Sequence, residues 1–237
     1  MGLRENVEQV RTRLEKAAAR FGHKPQDVTL VAVTKTVEAD VIREAIALGL
    51  TDIGENRVQE MSRKREAYAG ARLHMIGQLQ SNKVRQLPPE VVLVQSVDRL
   101  SLLNEMERIG ARDGRDFLAL IEIAIAGEAQ KGGCAVEALP ELLEAVEEMQ
   151  HVRVNGLMCV APAASDPEDV RPYFRKMRSL FDKTAAIGYN KTQMNVLSMG
   201  MTHDFEVALE EGSNMVRIGT ALFGSRNIGG GDNGTVG

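Results

Sequence analysis

Val28-Thr-Leu-Val-Ala-Val-Thr-Lys-Thr36 is a nearly unbroken apolar run, rich in β-branched residues, that closes on a single lysine. A strand with one wet face alternates apolar and polar residues, whereas a run without that alternation fits a strand covered on both faces, as in a parallel sheet. Lys35 is then an amine carried to the end of a buried strand. Alone, a strand-end lysine signifies no more than the chain's return to solvent, so its meaning rests on what the rest of the sequence places around it.

Upstream, Val7, Val10, Leu14, Ala17 and Ala18 recur at helical spacing over residues 3–21, and Gly22 stands where a left-handed cap would end that helix. Downstream the chain alternates. Strands are expected at 51–54, 72–77, 91–97, 117–125, 152–160, 194–197 and 215–218. Between them, helices are expected at 39–48, from 56, briefly from about 81, and at 100–109, 136–149, 167–187 and 202–211. Eight strand-helix alternations with short connections call for parallel strands and right-handed crossovers. Eight strands close a sheet, and 237 residues suit the ~250 of a (β/α)8 barrel. The expected fold is therefore α/β, a single TIM barrel over 1–226 with an extra N-terminal helix, followed by a flexible Gly-rich tail over 227–237. An open doubly wound sheet competes, but Thr34-Lys-Thr-Val-Glu38 lacks the glycines of a nucleotide-binding turn.

With 43% hydrophobic and 26% charged residues the composition is that of a soluble globular protein. A net charge of -4 and 4% aromatics argue against nucleic acid or an anionic membrane as partner. No apolar stretch approaches the ~20 residues of a membrane span, and the N-terminus carries no signal-peptide pattern, so a cytoplasmic protein is expected. Cys134 and Cys159 make no disulfide framework, and no Cys or His pair has metal-ligand spacing.

Barrels carry their chemistry at the carboxyl ends of the strands, commonly with a phosphate held by the loops after strands seven and eight. Those loops are Leu197-Ser-Met-Gly-Met-Thr202 and Arg217-Ile-Gly-Thr-Ala221. Gly200 and Gly219 let the backbone approach a ligand, Ser198 and Thr220 add hydroxyls, and the segments that follow can offer N–H groups to an anion. Each loop also fits ordinary capping, with Thr202 as N-cap and Asp204 in the first turn. A lysine facing a phosphate cup suggests an aldehyde or ketone phosphate held as a Schiff base, and an apolar strand end would favour the neutral amine that attacks. Pyridoxal 5'-phosphate (PLP) fits, with its aldehyde on Lys35 and its phosphate opposite. Arg217 facing the pyridine nitrogen could only donate a hydrogen bond, which weakens the ring as an electron sink. A Schiff-base aldolase acting on a sugar phosphate through Lys35 is the alternative that needs no such cofactor.

Six blocks then carry a resemblance: Val31-Ala-Val-Thr-Lys-Thr36, Gly54-Glu-Asn-Arg-Val-Gln-Glu60, His74-Met-Ile-Gly-Gln-Leu-Gln-Ser-Asn-Lys83, Gly156-Leu-Met158, Leu197-Ser-Met-Gly-Met201 and Met215-Val-Arg-Ile-Gly-Thr-Ala-Leu-Phe-Gly224. Through them the sequence, up to about Arg226, resembles the YggS/PROSC family, the pyridoxal phosphate homeostasis proteins. The resemblance implies a barrel like the N-terminal domain of alanine racemase. It places the cofactor lysine at Lys35, the phosphate contacts at Ser198, Gly200, Gly219 and Thr220, with Met199 among the cofactor-binding residues, and the pyridine-facing arginine at Arg217. It also implies that Asn56 approaches the ring, although Asn56 with Gln59 equally reads as an N-cap and its capping-box partner. His74 and Gln80, in the most recognisable block, are expected only to pack or hydrogen-bond at the rim. Leu73, where the family is usually aromatic, and Ala124, where it commonly has asparagine, depart from the pattern, as does the loop Glu128-Ala-Gln-Lys131-Gly-Gly133. Lys131 is the second candidate for the cofactor amine.

The function implied is a monomeric carrier that buffers PLP and hands it to apo PLP-dependent enzymes, with no catalytic residue of its own. A small PLP-dependent amino-acid racemase is the runner-up. Racemisation needs an acid/base group on each face of the carbanion, and Tyr68, Tyr173 and Tyr189 are all expected on helices outside the barrel, in a chain that closes with its eighth unit.

Overall fold

The computed structural model describes residues 2–127 and 132–224. Eight strands, β1 (Thr29–Val33), β2 (Asp52–Glu55), β3 (Arg72–Met75), β4 (Val91–Val97), β5 (Phe117–Glu122), β6 (Val152–Met158), β7 (Thr192–Ser198) and β8 (Met215–Ile218), pair in sequence order, and β8 returns to β1. All pairings are parallel, so the sheet is the closed barrel that the alternation predicts. The helices are α1 (Leu3–Phe21), α2 (Ala39–Ala47), α3 (Val58–Arg63), α4 (Leu100–Asp113), α5 (Leu139–Glu148), α6 (Arg171–Ala185), α7 (Phe205–Glu210) and α8 (Thr220–Phe223).

β1 is covered on both faces, as its composition predicts. Val31 joins Leu93, Leu120, Met158 and Met215 inside the barrel, and Ala32 joins the larger core between sheet and helices. Each such fully buried aliphatic side chain stabilises the fold by roughly 1.5–3 kcal/mol. The interior is tight at β2, where a Cβ on Gly54 would lie 2.8 Å from Ile76 Cδ1 and 2.9 Å from Val31 Cγ1. The seam between β7 and β8 registers at Ser198 and Met215 alone. Side chains reinforce it: Asn214 Oδ1 accepts from the Leu197 N–H, and Ser213 Oγ lies 2.9 Å from the Met199 carbonyl.

α1 packs on α7 and α8, burying the five apolar residues its spacing marks, and ends at Gly22 with φ +92°. Several boundaries differ from the sequence reading. Residues Ser81–Gln86 form a 3-10 helix, and 3-10 turns Val136–Ala138 and Pro167–Val170 lead into α5 and α6. β7 begins at Thr192, and α7 starts behind Asp204 because Thr202 Oγ1 instead accepts the Ala221 N–H. Tyr189 lies past the end of α6. The expected tail 227–237 and Lys131 fall outside the described residues. Among the described residues no helix is long and apolar enough to cross a membrane.

Candidate functional site at the mouth of the barrel

β1 stops at Val33, and two residues later Lys35 sits half-buried at the mouth. Its amine has no hydrogen-bond or ion-pair partner among the described residues. It borders a cleft of about 340 Å³ shared with Val33, Gly219, Thr220 and Phe223. The next residue, Thr36, has φ +65°, the sole non-glycine positive φ among the described residues.

Beneath Lys35 lies a buried ionic cluster. Glu55 Oε1 accepts from Thr34 Oγ1 at 2.7 Å, Tyr68 Oη at 2.9 Å and Lys64 Nζ at 3.1 Å, while Glu55 Oε2 is buried without a partner. Lys64 Nζ also donates to the Thr34 carbonyl and to Glu60 Oε2, both at 3.0 Å, and Glu60 Oε2 accepts the Thr36 N–H at 3.2 Å. Burial pushes Glu55 above its usual range. Burial would raise Glu60 too, but hydrogen bonds from Lys64 and Thr36 outweigh it and hold Glu60 low. Glu60 is thus held ionised beside Lys64. Tyr68 lies outside the barrel on a short 3-10 helix, as expected, yet it is buried in this cluster, and burial with the neighbouring Glu55 raises its phenol well above the ordinary value.

A second network crosses the barrel interior. Arg217 donates through Nη1 to Ser198 Oγ and through Nη2 to the Cys159 carbonyl at 2.8 Å. Ser198 Oγ donates to Gln95 Oε1 at 2.7 Å, Gln95 Nε2 meets His74 Nδ1 at 3.1 Å, and His74 Nε2 meets Asp52 Oδ1 at 2.9 Å. Arg72 closes the chain on Asp52 Oδ2 at 2.7 Å. Burial alone would raise Asp52, but hydrogen bonds from His74 and Arg72 outweigh it and keep the carboxyl low. An ionised carboxylate only accepts, so His74 carries its proton on Nε2 and takes the Gln95 amide hydrogen on Nδ1. From Arg217 to His74, every donor therefore points toward Asp52.

This geometry sorts the sequence candidates. Ser198 is fully buried, and its hydroxyl donates to Gln95 and accepts from Arg217. Met199 is fully buried too, and its N–H is taken by the Met215 carbonyl. His74 lies inside the barrel rather than at its rim. Gly200 has φ +95°, and a Cβ there would come 2.6 Å from Ala208 Cβ, so α7 and the local backbone already demand glycine. Gly219 is different: its φ is −118°, and a Cβ would come no closer than 3.4 Å to Val33. Nothing in the fold requires glycine there, and the missing side chain keeps the cleft beside Lys35 open. Asn56 follows β2 half-buried, but Arg57 is the N-cap of α3 and makes no side-chain cap, so the capping box is not formed.

Sequence reasoning missed Gln95, Asp52 and Glu122. The first had a faint signal, a lone amide within Val91-Val-Leu-Val-Gln-Ser-Val97 at the parity of inward-facing Leu93. Glu122, at the end of β5, is 5% exposed and has no hydrogen-bond partner among the described residues. Burial pushes it up to about 7, against the pull of the Arg217 charge. Arg217 itself is lowered by burial. Burial also raises the thiols of Cys134 and Cys159, to about 11 and about 12, which leaves neither a ready nucleophile.

The profile of the family described as alanine racemase, N-terminal domain, matches residues 3–227. A pyridoxal phosphate homeostasis protein of Aquifex aeolicus is 46% identical over 224 residues, covering 94% of this chain and 97% of that protein. The chain belongs to the pyridoxal phosphate homeostasis protein family. A second relative in that family, from Pseudomonas aeruginosa, is 38% identical over 95% of this chain and 96% of its own length. PipY of Synechococcus elongatus, solved with PLP bound, aligns at a TM-score of 0.83 and 30% identity, over 94% of this chain and all 100% of PipY. An alanine racemase of Clostridium difficile shares the fold alone, with a TM-score of 0.76 at 15% identity over 60% of its chain.

Proposed function

We propose that this chain is a PLP-binding protein that carries and buffers the cofactor in the cytoplasm as a monomer, holds it as a Schiff base on Lys35, and passes it to apo PLP-dependent enzymes. The observation that carries the reading is the Lys35 amine, without a partner among the described residues, on a cleft that Gly219 leaves open. The donor set fits the cofactor: an amine for an aldehyde, the hydroxyl of Thr220 at the start of α8 for a phosphate, and a buried guanidinium for a ring nitrogen. When bound, PLP supplies an electrophilic aldehyde and an electron-withdrawing ring.

The residues divide the task. Lys35 would hold the aldehyde carbon, with Gly219 and Thr220 at the phosphate, the Gly200 loop supporting them from α7, and Asn56 near the ring. Arg217 has two donors spent on Ser198 and Cys159, and its remaining N–H groups are left for the ring nitrogen. Lacking an acceptor, it keeps that nitrogen unprotonated.

A carrier is favoured over a racemase because no tyrosine hydroxyl among the described residues is available at the mouth: that of Tyr68 is held by Glu55, and Tyr173 and Tyr189 pack in the outer layer. Glu122 is the observation on the racemase side, a buried carboxyl near the mouth that exchanges a proton near neutrality. The two readings separate by assay. The purified protein should absorb in the visible, and borohydride should fix the cofactor to the peptide containing Lys35; Lys35→Ala should lose both, and retention of both overturns the assignment. Incubation with L- and D-alanine should give no chirality change or α-deuterium exchange at ordinary enzyme rates, roughly 1 per second or faster, while an apoenzyme should gain cofactor. Pyridoxal without its phosphate should bind more weakly by at least about tenfold, given ~1.5–3 kcal/mol per charged hydrogen bond.

A further inference from the structure

We propose that Glu60 and Lys64 are positioning residues for Lys35, a buried latch that holds Thr36 in its left-handed conformation and so aims the Lys35 amine into the cleft. The inference rests on Lys35 as the reactive amine of the preceding section. A β-branched residue at φ +65° is an outlier of the kind that persists only where its surroundings over-determine it, and such residues gather at functional sites. Here the surroundings are visible. The Thr34 carbonyl is held by Lys64 Nζ and by the Val37 N–H, each at 3.0 Å, and the Thr34 hydroxyl is held by Glu55. The Thr36 N–H is held by Glu60 Oε2, which also pairs with Lys64 at 3.0 Å. Both neighbours of Lys35 are therefore pinned by one cluster, while the Lys35 side chain has no polar partner among the described residues.

The arrangement is not what stability alone would select. A cation as buried as Lys64, whose side chain is 5% exposed, stabilises a fold no better than apolar residues of the same volume. Its three acceptors converge instead on the turn that carries Lys35. A fixed backbone under a free amine confines the nucleophile to the arc of its own side chain, which is how preorganisation raises a rate.

The test uses the full-length chain without added cofactor. Wild type, Glu60→Ala, Lys64→Met, and Glu60→Ala combined with Thr36→Gly are treated with propanal and cyanoborohydride, and labelling of Lys35 is followed by peptide mapping against exposed Lys24 as internal reference. Glu60→Ala should lower the Lys35-to-Lys24 ratio by roughly tenfold. Thr36→Gly should restore it to within about threefold, because glycine adopts the left-handed turn without help. A residue that merely stabilised the fold would change the melting temperature and leave the ratio alone. An unchanged ratio in folded Glu60→Ala, or no recovery with Thr36→Gly, overturns the latch. Should the variants not fold, the sign of φ at Thr36, read from backbone couplings in the wild type by NMR, decides: a negative φ in solution overturns the proposal and a positive one supports it. Failure to bind PLP with the labelling pattern intact would sink the cofactor reading and leave the latch standing.

Discussion

Two buried polar networks serve the barrel, and they handle charge in opposite ways. Under Lys35 the charges sit side by side, with Lys64 between Glu55 and Glu60. Under Arg217 they are kept apart, with Ser198, Gln95 and His74 as links between the guanidinium above and the Asp52–Arg72 pair below. The first arrangement gives rigidity, because each partner left alone would be a buried unpaired ion. The second gives direction, because an acceptor-only carboxylate at one end orients every donor above it.

The largest expected effect is on the ionic side. Lys64→Met strips the buried Glu55 and the partly buried Glu60 of their shared cation and should cost about 3–5 kcal/mol, read by denaturant unfolding. Adding Glu55→Leu should return much of that loss, since removing both members of a buried pair is far milder than removing one. If the single substitution costs as little as a surface pair, under about 1 kcal/mol, the contrast between the networks is wrong.

Gln95→Leu probes the other side. It leaves Ser198 and His74 each short of a partner and should cost about 1–3 kcal/mol, less than Lys64→Met, because no whole charge is stranded. An equal loss for the two variants would break the comparison.

Glu122 belongs to neither network and sharpens both. Its folded value of about 7 stands above the ordinary 4.5, so the folded protein holds this proton more tightly than the unfolded chain. Stability from this residue is therefore present at acid pH and declines as pH rises from the ordinary carboxylate range through about 7. Glu122→Gln should match the wild type in mild acid and exceed it above neutrality by roughly 3 kcal/mol, measured as unfolding free energy against pH.

Asp52 shows the opposite sign and the smallest change. Its folded value is lowered, so the stability it contributes is present above the ordinary carboxylate range and fades as pH falls through the folded value. Asp52→Asn should flatten the acid limb of the stability curve; an unaltered limb would mean that the His74 and Arg72 hydrogen bonds do not favour the ionised form.

By itself the sequence determined what depends on neighbours along the chain. The apolar run into Lys35, the α1 spacing closed by Gly22 and the eight alternations all follow from backbone periodicity and caps, which act over a few residues, and eight such units have one compact closure. Only the tertiary structure decided which polar side chains meet. Ser198 and Gln95 are 103 positions apart and Gln95 and His74 are 21 apart, and strand parity turns each inward without choosing a partner. Glu60 and Lys64 carry the i,i+4 spacing of an ordinary surface helix pair, and what buries them is the packing of α3 against β2. Thr36 has nothing in its local sequence that favours a positive φ, so its conformation is imposed by Glu60 and Lys64, side chains that reach it only once the barrel has closed.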